Sequence, residues 1–473
     1  MSLVPQTLTV SLFVALSLIS PGSAGGGESP DVPSRPPGPS AARRPNVLLI
    51  VIDTLRADHL SSYGYDRRTS PHIDRLAEEG VLYEDCISAS SWTLPSHASL
   101  FTGLFVRDHH TTSENWTLAE SFDTLAELLS EAGYHTGGFS NNVWINDVSG
   151  LKRGFDTFRE MWREQPVREK GISFDDPAVD MGAAKTNGEI FAWLDGLPDK
   201  TRPFFVFINY FEPHLPYRPT RPHDDDFLTE EIDQGTIRRL RSFYSPREYA
   251  YILDVPWMKV SAREIGILTD LYDGEIAYVD SIIGQLVRGL RSRDLLDNTL
   301  LVITSDHGEH LGEHHMLDHK LSVYEPLLRV PLILRHPGRI PAGVRIRTQV
   351  QAHDVFGTIL DATGVRDGFV PRLPFAERAH EYTFAELAYP GIFLKVIAKE
   401  IPGWDASAFA RSLKVVRGQR YKLIRGSDER LELYDLVDDP DENRNLAGTQ
   451  PAVLEKMLKA LESFNNGTLP GKH

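Results

Sequence analysis

Asn46-Val47-Leu48-Leu49-Ile50-Val51-Ile52, followed at once by Asp53-Thr54, is the stretch on which the fold turns. Its apolar residues do not alternate with polar ones, so both faces of the strand must be covered, as in a parallel sheet flanked by helices. Two more runs of this kind occur, Phe204 to Ile208 (FFVFI) and Leu300 to Ile303 (LLVI), and each leads directly into polar residues. Between them lie helical stripes. Leu125, Leu128 and Leu129 form one that ends near Gly133, and Ile276, Val279, Ile283, Leu286 and Leu290 form another that feeds the Leu300 run. Strands alternating with helices predict an α/β fold with a large, mostly parallel sheet. Ligands bind such sheets beyond the carboxyl ends of the strands, which makes the residues just after each run the functional suspects.

Toward the C-terminus the pattern changes. Leu413 to Ile424 pairs two β-rich runs around Arg417-Gly418-Gln419, a hairpin signal, Leu431 to Leu436 adds a further strand, and Ala452 to Phe464 reads as a terminal helix. These predict a smaller α+β subdomain with an antiparallel sheet, residues 376–473, after a main domain at 45–375. Toward the N-terminus, residues 25–44 are rich in Pro, Gly and Ser and read as a linker. Residues 1–24 read as a signal peptide: Leu8 to Ser20 is apolar but short for a span of about 20 residues, and Pro21-Gly22-Ser23-Ala24 offers small residues for cleavage. No Lys or Arg precedes that run, so an uncleaved anchor is the alternative. The expectation is an exported protein, periplasmic or extracellular, with no integral membrane span beyond the signal.

The 473 residues, 41% hydrophobic and 25% charged, suffice for a large core. Lys and Arg number 50 against 66 Asp and Glu, a net charge of −16, which excludes a general nucleic-acid binder. Cys86 is alone, so neither an internal disulfide nor a zinc site of several thiolates is available; it reads as an ordinary buried thiol.

The first run ends in Asp53-Thr54, with Arg56 and Asp58 following, and the third ends in Thr304-Ser305-Asp306-His307-Gly308-Glu309. Two carboxylates and an imidazole at strand ends make a hard-to-borderline divalent metal site. Taken singly, Asp53 reads equally as a helix cap and Asp306-His307 as a turn. The segment Thr93-Leu94-Pro95-Ser96-His97-Ala98-Ser99-Leu100-Phe101-Thr102-Gly103 supplies the context. It resembles the sulfatase signature C/S-x-P-S-R-x-x-L-x-T-G, with Thr93 in place of the Cys or Ser and His97 in place of the Arg. The likeness continues through His214 in Pro213-His214-Leu215-Pro216, Lys320 before Tyr324-Glu325, Arg329 to Ile333, Tyr421 to Ile424 and Leu433 to Leu436. From Pro45 to Leu446 the chain resembles the sulfatase family of the alkaline-phosphatase superfamily.

That resemblance implies that Asp53, Asp306 and His307 hold a metal with Thr93 completing the shell, and that His214 and Lys320 bind the anionic group and protonate the leaving oxygen. It implies one divalent ion, Ca2+, Mn2+ or Zn2+, and imidazole ligation tilts the choice toward Mn2+ or Zn2+. Family sulfatases convert the Cys or Ser to formylglycine, for which threonine is no known precursor, so Thr93 points to phosphate rather than sulfate esters; a metal must help deprotonate its hydroxyl. His97 offers one hydrogen bond in place of the bidentate Arg fork. The implied substrate is a small, glycan-linked or lipid-linked anionic ester. A transferase of phospho-alcohol groups and an inactive glycan-binding relative are the alternatives. The stretch 307–320 also carries His310, His314, His315 and His319, any of which is a candidate extra ligand.

Overall fold

In the computed structural model, which describes residues 44–164, 180–242, 247–256, 260–365 and 380–467, the Asn46 run becomes strand β1 (Asn46–Ile52), buried at every position. The remaining strands of that region are β2 (Val81–Ile87), β3 (His135–Ser140), β4 (Thr157–Glu160), β5 (Phe204–Tyr210), β6 (Thr299–Thr304), the short pair β7 (His310–Leu311) and β8 (Leu317–Asp318), β9 (Arg329–Arg335), β10 (Val344–Ile346) and β11 (Val350–Gln351). Among the described residues, nine of these form one sheet in the order β10-β2-β9-β6-β1-β5-β3-β4, with β11 paired to β2. Only β9 runs against its neighbours. The sheet is therefore mixed but mostly parallel, and β1 lies inside it between β5 and β6.

Period-two geometry sorts the β1 side chains onto two faces. Val47, Leu49 and Val51 pack with Leu94, Ala98 and Phe101 of the helix Thr93–Thr102 and with Leu125 and Leu129. Leu48, Ile50 and Ile52 pack with Leu271, Ile276, Val279 and Ile283 of the long helix Ala262–Arg291. Each such buried aliphatic side chain is worth about 1.5–3 kcal/mol, so alternation would forfeit one of the two layers. Ser261 and Glu264 form a reciprocal cap at the start of the long helix.

The expected hairpin is β13 (Leu413–Arg417) with β14 (Tyr421–Gly426), flanked by β15 (Leu431–Asp435) and by β12 (Thr383–Leu387) in a four-stranded antiparallel sheet. The helix Pro451–Asn465 covers one face of it through Met457, Leu461 and Phe464. Arg417 links this sheet to the larger one, its guanidinium 2.9 Å from Asp85 and 3.1 Å from Glu325. The signal, all of the linker before Arg44 and the boundary at 375/376 lie outside the described residues.

The loop after β6 is pinned to the short helix Glu325–Leu328 that precedes β9. Gly308 donates its N–H to Leu327 O at 2.8 Å, and a Cβ on Gly308 would stand 1.9 Å from Pro326 O. Gly308→Ala should therefore lower unfolding stability by about 1–3 kcal/mol, as overpacking does. Urea denaturation checks this, and an unchanged midpoint would contradict the account.

Candidate active site

Register sets the first two groups side by side. Val51 and Thr304 are the last paired residues of β1 and β6, and two residues further on each chain come Asp53 and Asp306. Their carboxylates and the His307 imidazole offer ligand atoms within 4.8 Å of one another, all buried. His307 donates Nδ1–H to Gly308 O at 2.9 Å, which turns Nε2 toward the carboxylates. Asp306 Oδ1 accepts from the backbone N–H groups of Thr54 at 3.3 Å and His307 at 2.9 Å. Asp53 Oδ2 accepts from the side-chain amides of Asn142 at 2.6 Å and Asn209 at 3.3 Å. The other two oxygens, Asp53 Oδ1 and Asp306 Oδ2, have no hydrogen-bond partner.

Burial, with the Asp306 charge beside it, pushes the Asp53 carboxyl well above the usual carboxylate range. Burial also raises Asp306, while burial and the neighbouring His319 hold His307 well below its ordinary value. Two orphaned carboxylate oxygens facing a neutral imidazole are costly in a dry interior and complementary to a divalent cation. The residues present fit such an ion. The backbone is bent to make this possible. Thr54 takes φ 55°, and its carbonyl accepts from the buried Tyr272 hydroxyl at 2.8 Å; strain of this sort concentrates at functional sites.

The helix Thr93–Thr102 is buried along its whole length and aims its N-terminus, the end that favours anions, at this cluster. Thr93, its first residue, holds Oγ1 3.3 Å from His307 Nε2 and 3.4 Å from Asn142 Nδ2. One turn on, His97 lies beneath Thr93. Its Nδ1–H donates to Thr93 O at 2.9 Å and stands 3.6 Å from Asp306 Oδ2, while the ring packs edge-on against Phe207. Burial lowers its pKa against the pull of Asp306. It does not line the pocket, so the expected contact from His97 to a bound anion is replaced by support of the Thr93 backbone.

A cavity of about 430 Å³ opens over Thr93. His214, Lys320 and His319 line it together with Asn142. His214 donates Nδ1–H to Leu215 O at 2.5 Å and stacks on Phe211 with ring centres 4.4 Å apart. Burial and the positive neighbours His319 and Lys320 keep it well below its ordinary value, so Nε2 faces the cavity as an acceptor. Lys320 forms ion pairs with Asp318 and, at 3.5 Å, with Glu248.

The structure also sorts the histidines of 307–320. His310 bonds Ser322 at 2.7 Å, His314 stacks on Tyr324 at 3.7 Å and His315 packs on Tyr251 at 4.3 Å. His319 alone of the four lines the cavity. It holds Glu309 at 2.8 Å; burial works to lower its pKa, but Glu309 and the Asp53 and Asp306 charges raise it. Glu309, Asp318 and His319 make a second grouping with metal-ligand atoms, yet its members already bond one another. Arg56 turns away from the cavity, bonding Asp58, Glu313 and Glu309 O.

Sequence reasoning missed Asn142, Asn209 and Glu248. Asn209 sits at the end of the recognised Phe204 run, where the strand-end rule had already directed attention. Asn142 follows β3, whose His135-Thr-Gly-Gly-Phe-Ser sequence carries no apolar run to announce a strand.

The Sulfatase family model matches residues 45–365, and the chain belongs to the sulfatase family. It is 26% identical to arylsulfatase K of Canis lupus familiaris over 97% of this chain and 88% of that protein. It is 26% identical to an N-acetylglucosamine-6-O-sulfatase of Bacteroides thetaiotaomicron over 87% of this chain and 84% of that protein. The crystal structure of the phosphonate monoester hydrolase of Agrobacterium radiobacter superposes with a TM-score of 0.70 at 25% identity, covering 90% of this chain and 96% of that one. The protein is thus a hydrolase of sulfuric or phosphoric esters.

Isothermal titration of the chelator-stripped protein with Mn2+ or Zn2+ should give tight binding of one ion per chain. Asp306→Asn should weaken it by at least about tenfold, the lower limit even for changes around a metal shell. Equal affinity in the variant would contradict this site.

Proposed function

We propose that the chain hydrolyses phosphate esters rather than sulfate esters, with Thr93 as nucleophile beside a single divalent ion held by Asp53, Asp306 and His307. The observation that carries this reading is the position of Thr93 Oγ1, 3.3 Å from His307 Nε2 at the mouth of the carboxylate cluster and at the head of a buried helix. When bound, Mn2+ or Zn2+ would lower the pKa of the Thr93 hydroxyl and balance charge on the ester oxygens. A plain hydroxyl has no second oxygen with which to expel a sulfate by collapsing to an aldehyde. Its ester must be released by water, a step that suits a phosphoryl group.

Each residue then has a task. Thr93 Oγ1 loses its proton to water in the cavity and attacks phosphorus, and the ester P–O bond to the alcohol breaks. Asn142 Nδ2, which touches both Thr93 Oγ1 and Asp53, orients that hydroxyl. Lys320 faces the cavity as an ammonium and gives a proton to the leaving oxygen; His214 Nε2 accepts a hydrogen bond from the departing alcohol or the incoming water. Water then attacks phosphorus, giving one proton back to the Lys320 amine, and the P–O bond to Thr93 breaks as Oγ1 takes up a proton to restore the hydroxyl. His97 holds the Thr93 carbonyl and so positions the nucleophile without touching substrate. The reading includes export directed by residues 1–24.

Thr93→Ala should lower kcat on a p-nitrophenyl phosphate ester by at least about 10³-fold with an unchanged circular dichroism spectrum, the scale of removing a nucleophile, whereas Thr93→Ser should retain appreciable turnover. Turnover of a p-nitrophenyl sulfate exceeding that of the phosphate esters, or full activity in Thr93→Ala, would overturn the reading.

A further inference from the structure

Glu248 is the charged group of the cavity wall that the chemistry above leaves unused. It is wholly buried, and neither carboxylate oxygen has a hydrogen-bond partner. Among the described residues its one ion-pair partner is Lys320, at 3.5 Å. Lys320 is also the one Lys or Arg among the described residues that line this cavity, and it is already paired with Asp318. The Lys320 ammonium and the His319 imidazole, which holds Asp318 and Glu309 at 2.8 Å, thus serve three buried carboxylates between them. A buried carboxylate without full compensation is destabilising, and an anionic ester that engages Lys320 would worsen the deficit. A substrate carrying its own positive charge would remove it.

The wall next to Glu248 suits a soft cation. Phe393 lies under the Lys320 ammonium, with 5.9 Å from Nζ to the ring centre. Trp92 meets Phe393 edge-on at 5.6 Å and Trp144 at 5.0 Å, and all three rings line the cavity. Aromatic faces beside a carboxylate attract alkylammonium groups through the ring quadrupole and the net charge together. We infer that the site selects zwitterionic esters, in which the phosphate bears an alcohol with a quaternary or primary ammonium group seated between Glu248 and the Trp92–Trp144–Phe393 rings. The inference rests on the phosphate-ester reading above and narrows it to a substrate class.

Two p-nitrophenyl phosphodiesters test it, one bearing choline and the other its uncharged carbon isostere, 3,3-dimethylbutanol. The wild-type, metal-loaded protein should turn over the choline ester with kcat/KM at least about tenfold higher, the scale of a desolvated cation–aromatic contact. In Glu248→Gln the ratio should fall to near one, and Trp144→Leu, on the half-buried rim, should lower it in a fold left intact. A ratio near one in the wild type, or an unchanged ratio in Glu248→Gln, overturns the inference while leaving the phosphate-ester reading standing. Turnover of neither diester overturns that reading instead. Calorimetric binding of phosphocholine against 3,3-dimethylbutyl phosphate then decides the inference without turnover: equal affinities refute it, and a preference lost in Glu248→Gln upholds it.

Discussion

Two carboxylates that repel one another are held within reach of a single ion at the carboxyl edge of the sheet, and much of the surrounding structure exists to hold them there. The parallel register of β1 and β6 delivers Asp53 and Asp306 to the same level. Neither can retreat, because each has one oxygen fixed by hydrogen bonds: Asp53 by Asn142 and Asn209, Asp306 by the Thr54 and His307 amides. Ser88 and Ser305 clamp the adjoining backbone, the first at Asp306 O and the second at His307 O. What remains free is one oxygen from each residue. A charged pair in that environment is stable only with a cation or a proton, so ion binding and the local order of this edge are linked.

Five strands then contribute in the same sense. β1 leads to Asp53, β2 to the helix that begins at Thr93, β3 to Asn142, β5 to His214 and β6 to Asp306 and His307. Because these strands all point the same way, groups far apart in sequence meet without any long connection crossing the site. The antiparallel β9 lies between β6 and β2 and leaves this arrangement undisturbed. Around the reacting centre the cavity is lined by Lys320, His214 and His319 and by the rings of Trp92, Trp144 and Phe393, with the Lys320 ammonium over Phe393 and His214 stacked on Phe211.

The α/β architecture was legible because β1, β5 and β6 are buried on both faces and so read as unbroken apolar runs. The meeting of Asp53, Asp306 and His307 was legible for the same reason, since these residues follow those runs directly. β3 was not legible. Gly137 and Gly138 are needed there because a Cβ would meet Trp193 at 3.1 Å and Phe158 at 2.4 Å, and glycines erase the strand signal. Asn142 was lost with it. His97 was recognised as a position but not as a direction. Its spacing from Thr93 is that of one helical turn, which places its Nδ1 on the Thr93 carbonyl rather than in the cavity. Glu248 lies in the short helix Arg247–Ile252, whose mixed composition gave no signal, and its place beside Lys320 is a property of three-dimensional packing alone.

The covalent step proposed at Thr93 joins the carboxylate–imidazole cluster, the helix terminus and the cavity, and it can be observed directly. Metal-loaded protein can be mixed with a p-nitrophenyl phosphate ester, acid-quenched within one turnover and digested, and the peptide containing residue 93 examined by tandem mass spectrometry. The account predicts a phosphoryl group on Thr93 Oγ1, absent when the ion is removed with chelator. Burst release of nitrophenol with residue 93 unmodified at every quench time would contradict it.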